Sequence, residues 1–376
     1  MKKPYTTRLL IIIPVAFLLL MIASCRKEKK AAVTVSATPT KIGLYEVADS
    51  FIYKQLQISL LKVGNDSVDY DLIFDTGSSG LVLDANGLLP SSVITSNGFK
   101  FTGNSYTVDG ITITNQTDSL GYGDGSVYGN LAYADISVGD ENGNVQIKQV
   151  PFFLYYKALD LSGNLYPVHE FDVFGVSEGY GASFNNNVNL TGPFTSITPG
   201  NGLTNGFKMA PMGSTFADIG YQYYKYLPGE VTLGLTADDL SSSSGFSFYQ
   251  LTLNPTVAWA YYPGYFPIIP ATITYNSNTF SNDVLFDSGT NVGNFIENPT
   301  FSGNFLQMAA NSQINITTKS NFTYNFSNNV TSIPTFVENP DSAYSSAPNC
   351  VIGIDFFINN EYMDDFTDHK LGLKNN

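Results

Sequence analysis

Histidine and cysteine are nearly missing from this chain, with two of each in 376 residues. With only His169 and His369, far apart in sequence, neither a histidine-built metal site nor a Ser-His-Asp triad has its parts. With only Cys25 and Cys350, the fold must rest on packing and not on a disulfide framework, which a body of this size can manage. Cys350, beside Val351 and Ile352, reads as a buried apolar residue. No basic neighbour is there to make its thiol a nucleophile. Arginine is absent beyond Arg26, and 18 Lys and Arg against 32 Asp and Glu give a formal charge of −14. Such an acidic body disfavours nucleic acid as a partner. It also sheds self-repulsion as its carboxylates protonate, which is compatible with work at low pH. No cofactor and no metal are expected.

Long apolar runs are also scarce. Leu9 to Met21 is the exception, and its 13 residues fall short of the roughly 20 that a spanning helix needs. Preceded by Lys2, Lys3 and Arg8, it reads as a secretion signal covering residues 1–24. Ile22-Ala23-Ser24-Cys25 resembles a bacterial lipobox, which implies acylation of Cys25 and a lipid anchor in the membrane. An uncleaved membrane anchor is the alternative. Either reading places the body outside the cytoplasm in the cell envelope, periplasmic or at the cell surface. Residues 25–43 lack apolar periodicity and read as a polar tether.

The remainder is rich in Tyr, Phe, Thr, Val, Asn and Gly, in short alternating runs broken by turn residues. That pattern predicts a mostly β protein. Phe51 to Ile58, Val231 to Leu235, Phe246 to Leu253 and Ala271 to Tyr275 read as strands. Within this background one stretch recurs. Asp71-Leu72-Ile73-Phe74-Asp75-Thr76-Gly77-Ser78-Ser79 is matched by Asp283-Val284-Leu285-Phe286-Asp287-Ser288-Gly289-Thr290. Each copy runs a buried strand into a sharp turn headed by a carboxylate. Each is followed by an apolar-apolar-Gly segment, Val173-Phe174-Gly175 and Val351-Ile352-Gly353, whose glycine lets another backbone pass close by. A chain that twice delivers an Asp on the same device is expected to consist of two similar halves meeting at those carboxylates.

These motifs resemble the pepsin family of aspartic peptidases over roughly residues 50 to 374. Tyr122-Gly123-Asp124-Gly125-Ser126 is similar to the family's flap tip, with Gly129 to Tyr133 and Ile136 to Gly139 as its returning strand. Asp365 and Lys370-Leu371-Gly372-Leu373 resemble its closing strand. The resemblance implies a bilobal all-β fold with a cleft between two pseudo-twofold-related lobes. The Gly/Asn/Thr/Ser/Pro-rich stretch from Gly179 to Asn205 is the expected boundary, giving lobes at 44–205 and 206–376. It further implies a helix over about 298–311, although Gly303 argues against one. Too few residues precede the first strand for an inhibitory pro-segment of the family's usual kind, so no zymogen is expected.

Amide hydrolysis needs an activated nucleophile and an acid for the carbonyl oxygen or leaving nitrogen, and two carboxylates sharing one proton supply both through a bound water. The aspartic-protease dyad is itself the standard example of such sharing. By the resemblance, Asp75 and Asp287 form that dyad. Gly77 and Gly289 let backbone N–H groups reach the carboxylates. The resemblance assigns Thr76 and Ser288 to interlocking the two turns, and Ser78 and Thr290 to the outer carboxylate oxygens. Tyr122 would close over the substrate, with Gly123, Asp124 and Gly125 presenting backbone to an extended polypeptide.

One departure concerns the flap. The family often has Trp where Val82 stands, and Val82 cannot donate the indole hydrogen bond that braces the flap Tyr; the sole Trp, Trp259, lies in the second half. The expectation is a monomeric aspartic endopeptidase acting on polypeptides below neutral pH. The alternative is a non-catalytic surface module binding peptide or glycan in the same cleft, and neither acid is lost to favour it.

Overall fold

Both copies of the recurring stretch lie at the inner end of a strand whose outer half is wet. In strand Asp66–Asp75, residues 66 to 71 alternate between half-buried and exposed, after which Leu72 and Phe74 are fully buried. Strand Asn278–Phe286 repeats the profile, ending in buried Val284, Leu285 and Phe286. The polar halves alternate because one face meets water, whereas the apolar triplets run between other strands and are buried except for half-buried Ile73. The computed structural model describes residues 33–34, 38–48, 54–123, 125–179, 181–184, 188–213, 223–253, 264–329, 333–341 and 348–376. The signal and lipobox residues, Cys25 included, lie outside them, as does Trp259. Among the described residues no helix is long and apolar enough to cross a membrane.

The neighbours of the two strands follow one plan. Each pairs antiparallel with the strand before it, Lys54–Val63 or Ile268–Tyr275. On its other side each takes a short parallel strand from far along the chain. Val173–Val176 sets Phe174 opposite Phe74 and Gly175 opposite Asp75, and Cys350–Ile352 sets Ile352 opposite Phe286. These apolar-apolar-Gly strands then pair antiparallel with Ser79–Asp84 and Asn294–Glu297, which run out of the Asp turns. A further parallel strand follows in each case, Asn144–Asp160 or Thr335–Glu338. The fold is therefore mostly β with one arrangement built twice, in sheets of 14 and 8 strands.

The larger sheet is extended by late segments of the chain. Strand Tyr223–Leu235 pairs with Thr40–Ala48, Thr204–Met209 pairs with Tyr223–Leu235, and the hairpin Asn360–Asp365 and Lys370–Asn375 adds beyond it. Buried aromatic rings fix the dyad strands against this framework. Phe74 lies 6.2 Å edge-on from Phe207 and stacks at 6.5 Å on Phe174, while Phe286 packs 4.4 Å from Phe356. Each such ring contributes on the order of 2–3 kcal/mol by its burial.

The helix expected over 298–311 does not form. The Asn298 side-chain oxygen accepts from the Thr300 N–H at 2.9 Å and its hydroxyl at 2.8 Å, closing a local turn that competes with helix. Beyond it, Phe305–Gln307 pairs as a strand with Thr335–Glu338, and Asn311 has a left-handed φ of 63°. The described helical residues are the single turn Phe356–Asn359 and the 3-10 turn Pro193–Ser196.

The body buries several carboxyl groups among one another. Burial, with Glu46 adding to it, pushes Glu230 up to about 8. Burial beside Asp364 and Asp365 pushes Glu178 up to about 10, and burial alone raises Asp355 to about 6 against the pull of Lys54. For a carboxyl whose folded pKa is raised, stability is fully present below its ordinary value near 4, and is lost as pH climbs through the folded value. The urea midpoint should therefore peak near pH 4 to 5, below which the lowered Asp135 and Asp239 lose their contributions, and decline steadily towards pH 8. Glu230→Gln should flatten that decline between pH 5 and 8; a midpoint that is level or rises over that range contradicts the assignment.

Candidate active site

The two Asp turns are locked to each other by four hydrogen bonds. The Thr76 N–H donates to Ser288 Oγ and the Ser288 N–H donates to Thr76 Oγ1, each at 3.0 Å. The same hydroxyls donate onward, Thr76 Oγ1 to the Phe286 carbonyl at 2.9 Å and Ser288 Oγ to the Phe74 carbonyl at 2.7 Å. Both residues are fully buried. Each hydroxyl thus accepts from and donates to the opposite strand end, so no polar atom of the lock is orphaned.

Directly beyond the lock the carboxylates are held by their own turns. Asp75 Oδ1 accepts from the Gly77 N–H at 2.8 Å and the Ser78 N–H at 3.1 Å, and Oδ2 accepts from Ser78 Oγ. Asp287 Oδ1 accepts from the Gly289 N–H at 2.8 Å and Oδ2 from Thr290 Oγ1 at 2.6 Å. The glycines are required by the opposite half as well as by their own. A Cβ on Gly77 would fall 2.5 Å from the carboxyl carbon of Asp287, and one on Gly289 would fall 2.6 Å from that of Asp75. Gly175 and Gly353 admit the passing strands: a Cβ there would meet Ser78 Oγ at 2.7 Å and the Thr290 carbonyl oxygen at 2.6 Å.

The electrostatic result is a coupled pair. Burial first, then the charge of Asp287 and a hydrogen bond with its side chain, push Asp75 well above the usual carboxylate range. Ser78 and Gly77 pull the other way but donate to only one member of the pair. A carboxyl so buried beside another favours its protonated form.

The residues expected as the flap lie at a hairpin tip. Tyr122 ends strand Ile111–Tyr122 and pairs with Gly125 at the head of Gly125–Gly139, with Gly123 in a turn after Tyr122. Asp124 lies outside the described residues. Val82 is fully buried in the cluster against which Tyr122 packs. The ring that meets Tyr122 is Phe171, edge-on at 5.0 Å, with Tyr166 behind it at 5.1 Å. Phe171 carries no motif, and its contact depends on how the chain returns to Val173, so sequence alone does not reveal it.

The remaining candidates are structural. His169 Nδ1 lies 2.8 Å from Asp172, which raises its pKa, and His369 Nδ1 lies 2.6 Å from Glu178 while its ring stacks on Tyr265. Cys350 is fully buried, which pushes its thiol up to about 12. Among the described residues no cluster of His, Cys, Asp and Glu could hold a metal ion. A cavity of about 400 Å³ lies elsewhere, lined by Lys41, Lys208, Asp239 and Glu361 among others, and includes no residue of either Asp turn.

Residues 58–156 match the family model for eukaryotic aspartyl proteases. The aspartic proteinase of Irpex lacteus has a similar solved structure, with a TM-score of 0.55 and 17% identity, covering 89% of this chain and 96% of that one. At that identity the likeness speaks for the fold. No curated protein matches the chain in sequence.

The lock makes a thermodynamic prediction. Ser288→Ala leaves the Thr76 N–H and the Phe74 carbonyl unpaired in a fully buried place and should cost about 2–4 kcal/mol in urea unfolding. Thr76→Ala should cost a similar amount, and the double variant clearly less than the sum, because both hydroxyls tie together the same two turns and losing either already loosens that junction. Strictly additive losses would show that the turns are held independently.

Proposed function

Taking as premise a chain that is pepsin-like in its matched segment and in its fold, we propose that it is an aspartic endopeptidase. The family match and the fold support peptidase activity in general. The finer reading is supported by one observation: each turn's glycine lies against the other turn's carboxylate, at the end of two locked strands, which favours Asp75 and Asp287 acting as a proton-sharing pair. Residues 44–205 and 206–376 are the segments that deliver one acid each.

In the proposed reaction the ionised carboxylate of the pair takes a proton from a water while the water oxygen bonds to the scissile carbonyl carbon. The protonated carboxyl gives its proton to the carbonyl oxygen, producing a neutral diol. Collapse then breaks the C–N bond, with the newly acquired proton passing to the leaving nitrogen and a diol proton returning to the pair. Ser78, Thr290 and the turn N–H groups hold the carboxyl planes fixed during both transfers, so the pair spends no reorganisation on alignment. Tyr122, Gly123 and Gly125, with Asp124 between them, would cover an extended polypeptide whose main chain pairs with the hairpin.

Activity is proposed to be greatest below neutral pH, since the pair must keep one proton. Because burial and mutual repulsion raise that proton's affinity, the alkaline limb should lie above an ordinary carboxylate value. The lipobox-like Ile22 to Cys25 supports anchorage through an acylated Cys25 to a membrane of the cell envelope, with the monomeric body outside the cytoplasm.

Asp75→Asn and Asp287→Asn should each lower kcat/KM on a denatured polypeptide by roughly 10³-fold or more while the chain stays folded by circular dichroism. A statine-type peptide should inhibit the parent. Undiminished digestion by either variant would refute the dyad mechanism.

A further inference from the structure

The wet face of the larger sheet gathers three tyrosine rings at the place where its two halves of chain meet. In strand Thr40–Ala48, Ile42, Leu44 and Ala48 are buried in the core, so Lys41, Gly43, Tyr45 and Val47 take the other face. Tyr45 lies opposite Tyr226 of strand Tyr223–Leu235, and Tyr224, two positions from Tyr226, shares that face. The Tyr45 ring stacks on Tyr224 with centroids 4.6 Å apart and lies 5.2 Å from Tyr226. Tyr224 remains 56% exposed.

The rings are held by their hydroxyls. The Tyr224 hydroxyl donates to Asp71 Oδ2 at 3.0 Å, Ser59 Oγ donates to Asp71 Oδ1 at 2.9 Å, and the Asn142 amide donates to the Tyr226 hydroxyl at 3.3 Å. Gly43 makes room for the Tyr226 ring, which a Cβ there would strike. A platform fixed in this way loses little freedom when a ligand lies on it.

The same face runs on into the cavity of about 400 Å³. Lys41 lies opposite Thr232 and Thr232 opposite Lys208, so one cross-strand row lines it, with Asp239 and Glu361 among its other walls. Lys208 pairs with Asp239, and Glu361 pairs with Lys374 at 2.7 Å. The strands beneath are interior to the 14-stranded sheet and have neighbours on both sides, so an extended peptide cannot add here as a further strand.

The mixture of groups selects the occupant. The negative ring faces attract weakly positive C–H groups. Asp71, Asn142 and Glu361 can accept from hydroxyls, while Lys41, Thr232 and Asn142 can donate to them. With Asp71 at one end, Lys41 at the other and ion pairs between acids and lysines in the cavity, no single charge complements the whole row. A neutral chain that carries C–H faces and many hydroxyls complements all of it.

We propose that the face running from Tyr224 through Tyr45 and Tyr226 to Lys41 is a binding site for a neutral oligosaccharide, whose sugar rings stack on the tyrosines and whose hydroxyls enter the polar cavity. The site includes no residue of the Asp turns or of the hairpin tip, and it stands whether or not the chain is a peptidase.

The test is isothermal titration of the full chain with cellohexaose, maltohexaose, mannohexaose and xylohexaose. At least one should bind, with a Kd that Tyr224→Ala and Lys41→Met each raise roughly tenfold, the first by removing the outermost ring and the second by removing an ammonium while keeping its stem. Both residues are exposed, so each variant should keep the parent's circular dichroism. Leu161→Ser, at an exposed position in another loop, should keep the parent's Kd. Because the ligand is neutral, binding should be alike in low and high salt. The proposal is overturned if none of the four sugars binds the parent, if either face variant keeps the parent's Kd, or if Leu161→Ser weakens binding as much. Sugar binding that disappears in high salt overturns it too, as does Tyr224-dependent binding of an oligolysine peptide or of inorganic phosphate in place of every sugar.

Discussion

Two hydroxyl groups hold this molecule's halves in register. Thr76 and Ser288 each accept one backbone N–H and donate to one carbonyl across the junction, within a place that water does not reach. Burying eight hydrogen-bonding roles in such a small volume is tolerable only because all are filled. The arrangement fixes the ends of two strands more than two hundred residues apart in sequence, and the carboxylates one residue away inherit that precision. Charge alone could not do this. Two acids repel, so their closeness is imposed by neutral bonds behind them, and burial beside its neighbour raises Asp75 towards its protonated form.

The same tolerance for closely set acids recurs through the body. Glu178 lies with Asp364 and Asp365, Glu230 with Glu46, and Glu338 with Glu297. Basic partners are few, since the chain has little Lys and almost no Arg, and Lys225 reaches Glu46 only at 3.5 Å. Such a composition is coherent when many of these groups carry protons. Fold and proposed chemistry then favour the same side of neutrality for related reasons: desolvation and like neighbours make the protonated carboxyl the comfortable form.

Much of this was legible in the residues. The repeated apolar triplet and Asp turn, with the downstream apolar-apolar-Gly, mark the two dyad strands and their parallel partners, because only a buried strand needs three consecutive apolar residues and only a close crossing needs that glycine. Tyr122 and Gly125 were legible as a hairpin tip through their resemblance to a known family's flap. The helix expected near 298–311 failed because Asn298 bonds its own turn and Phe305 to Gln307 find a strand partner, a tertiary choice that local preference does not encode. Phe171 behind Tyr122, the His169–Asp172–Tyr155 network and the clustering of buried acids were hidden for the same reason. Each joins residues whose spacing carries no period, and only the completed sheet brings them together.

The final strand, Lys370–Asn375, lies inside the larger sheet and not at its margin, between Ser247–Gln250 and Asn360–Asp365. A sheet that includes Thr40–Ala48 is thus tied together by residues from 370 onward. During synthesis the early portion carries an open ladder until those residues are made. A product cut short before Lys370 lacks that tie and is left with raw strand edges open to other chains.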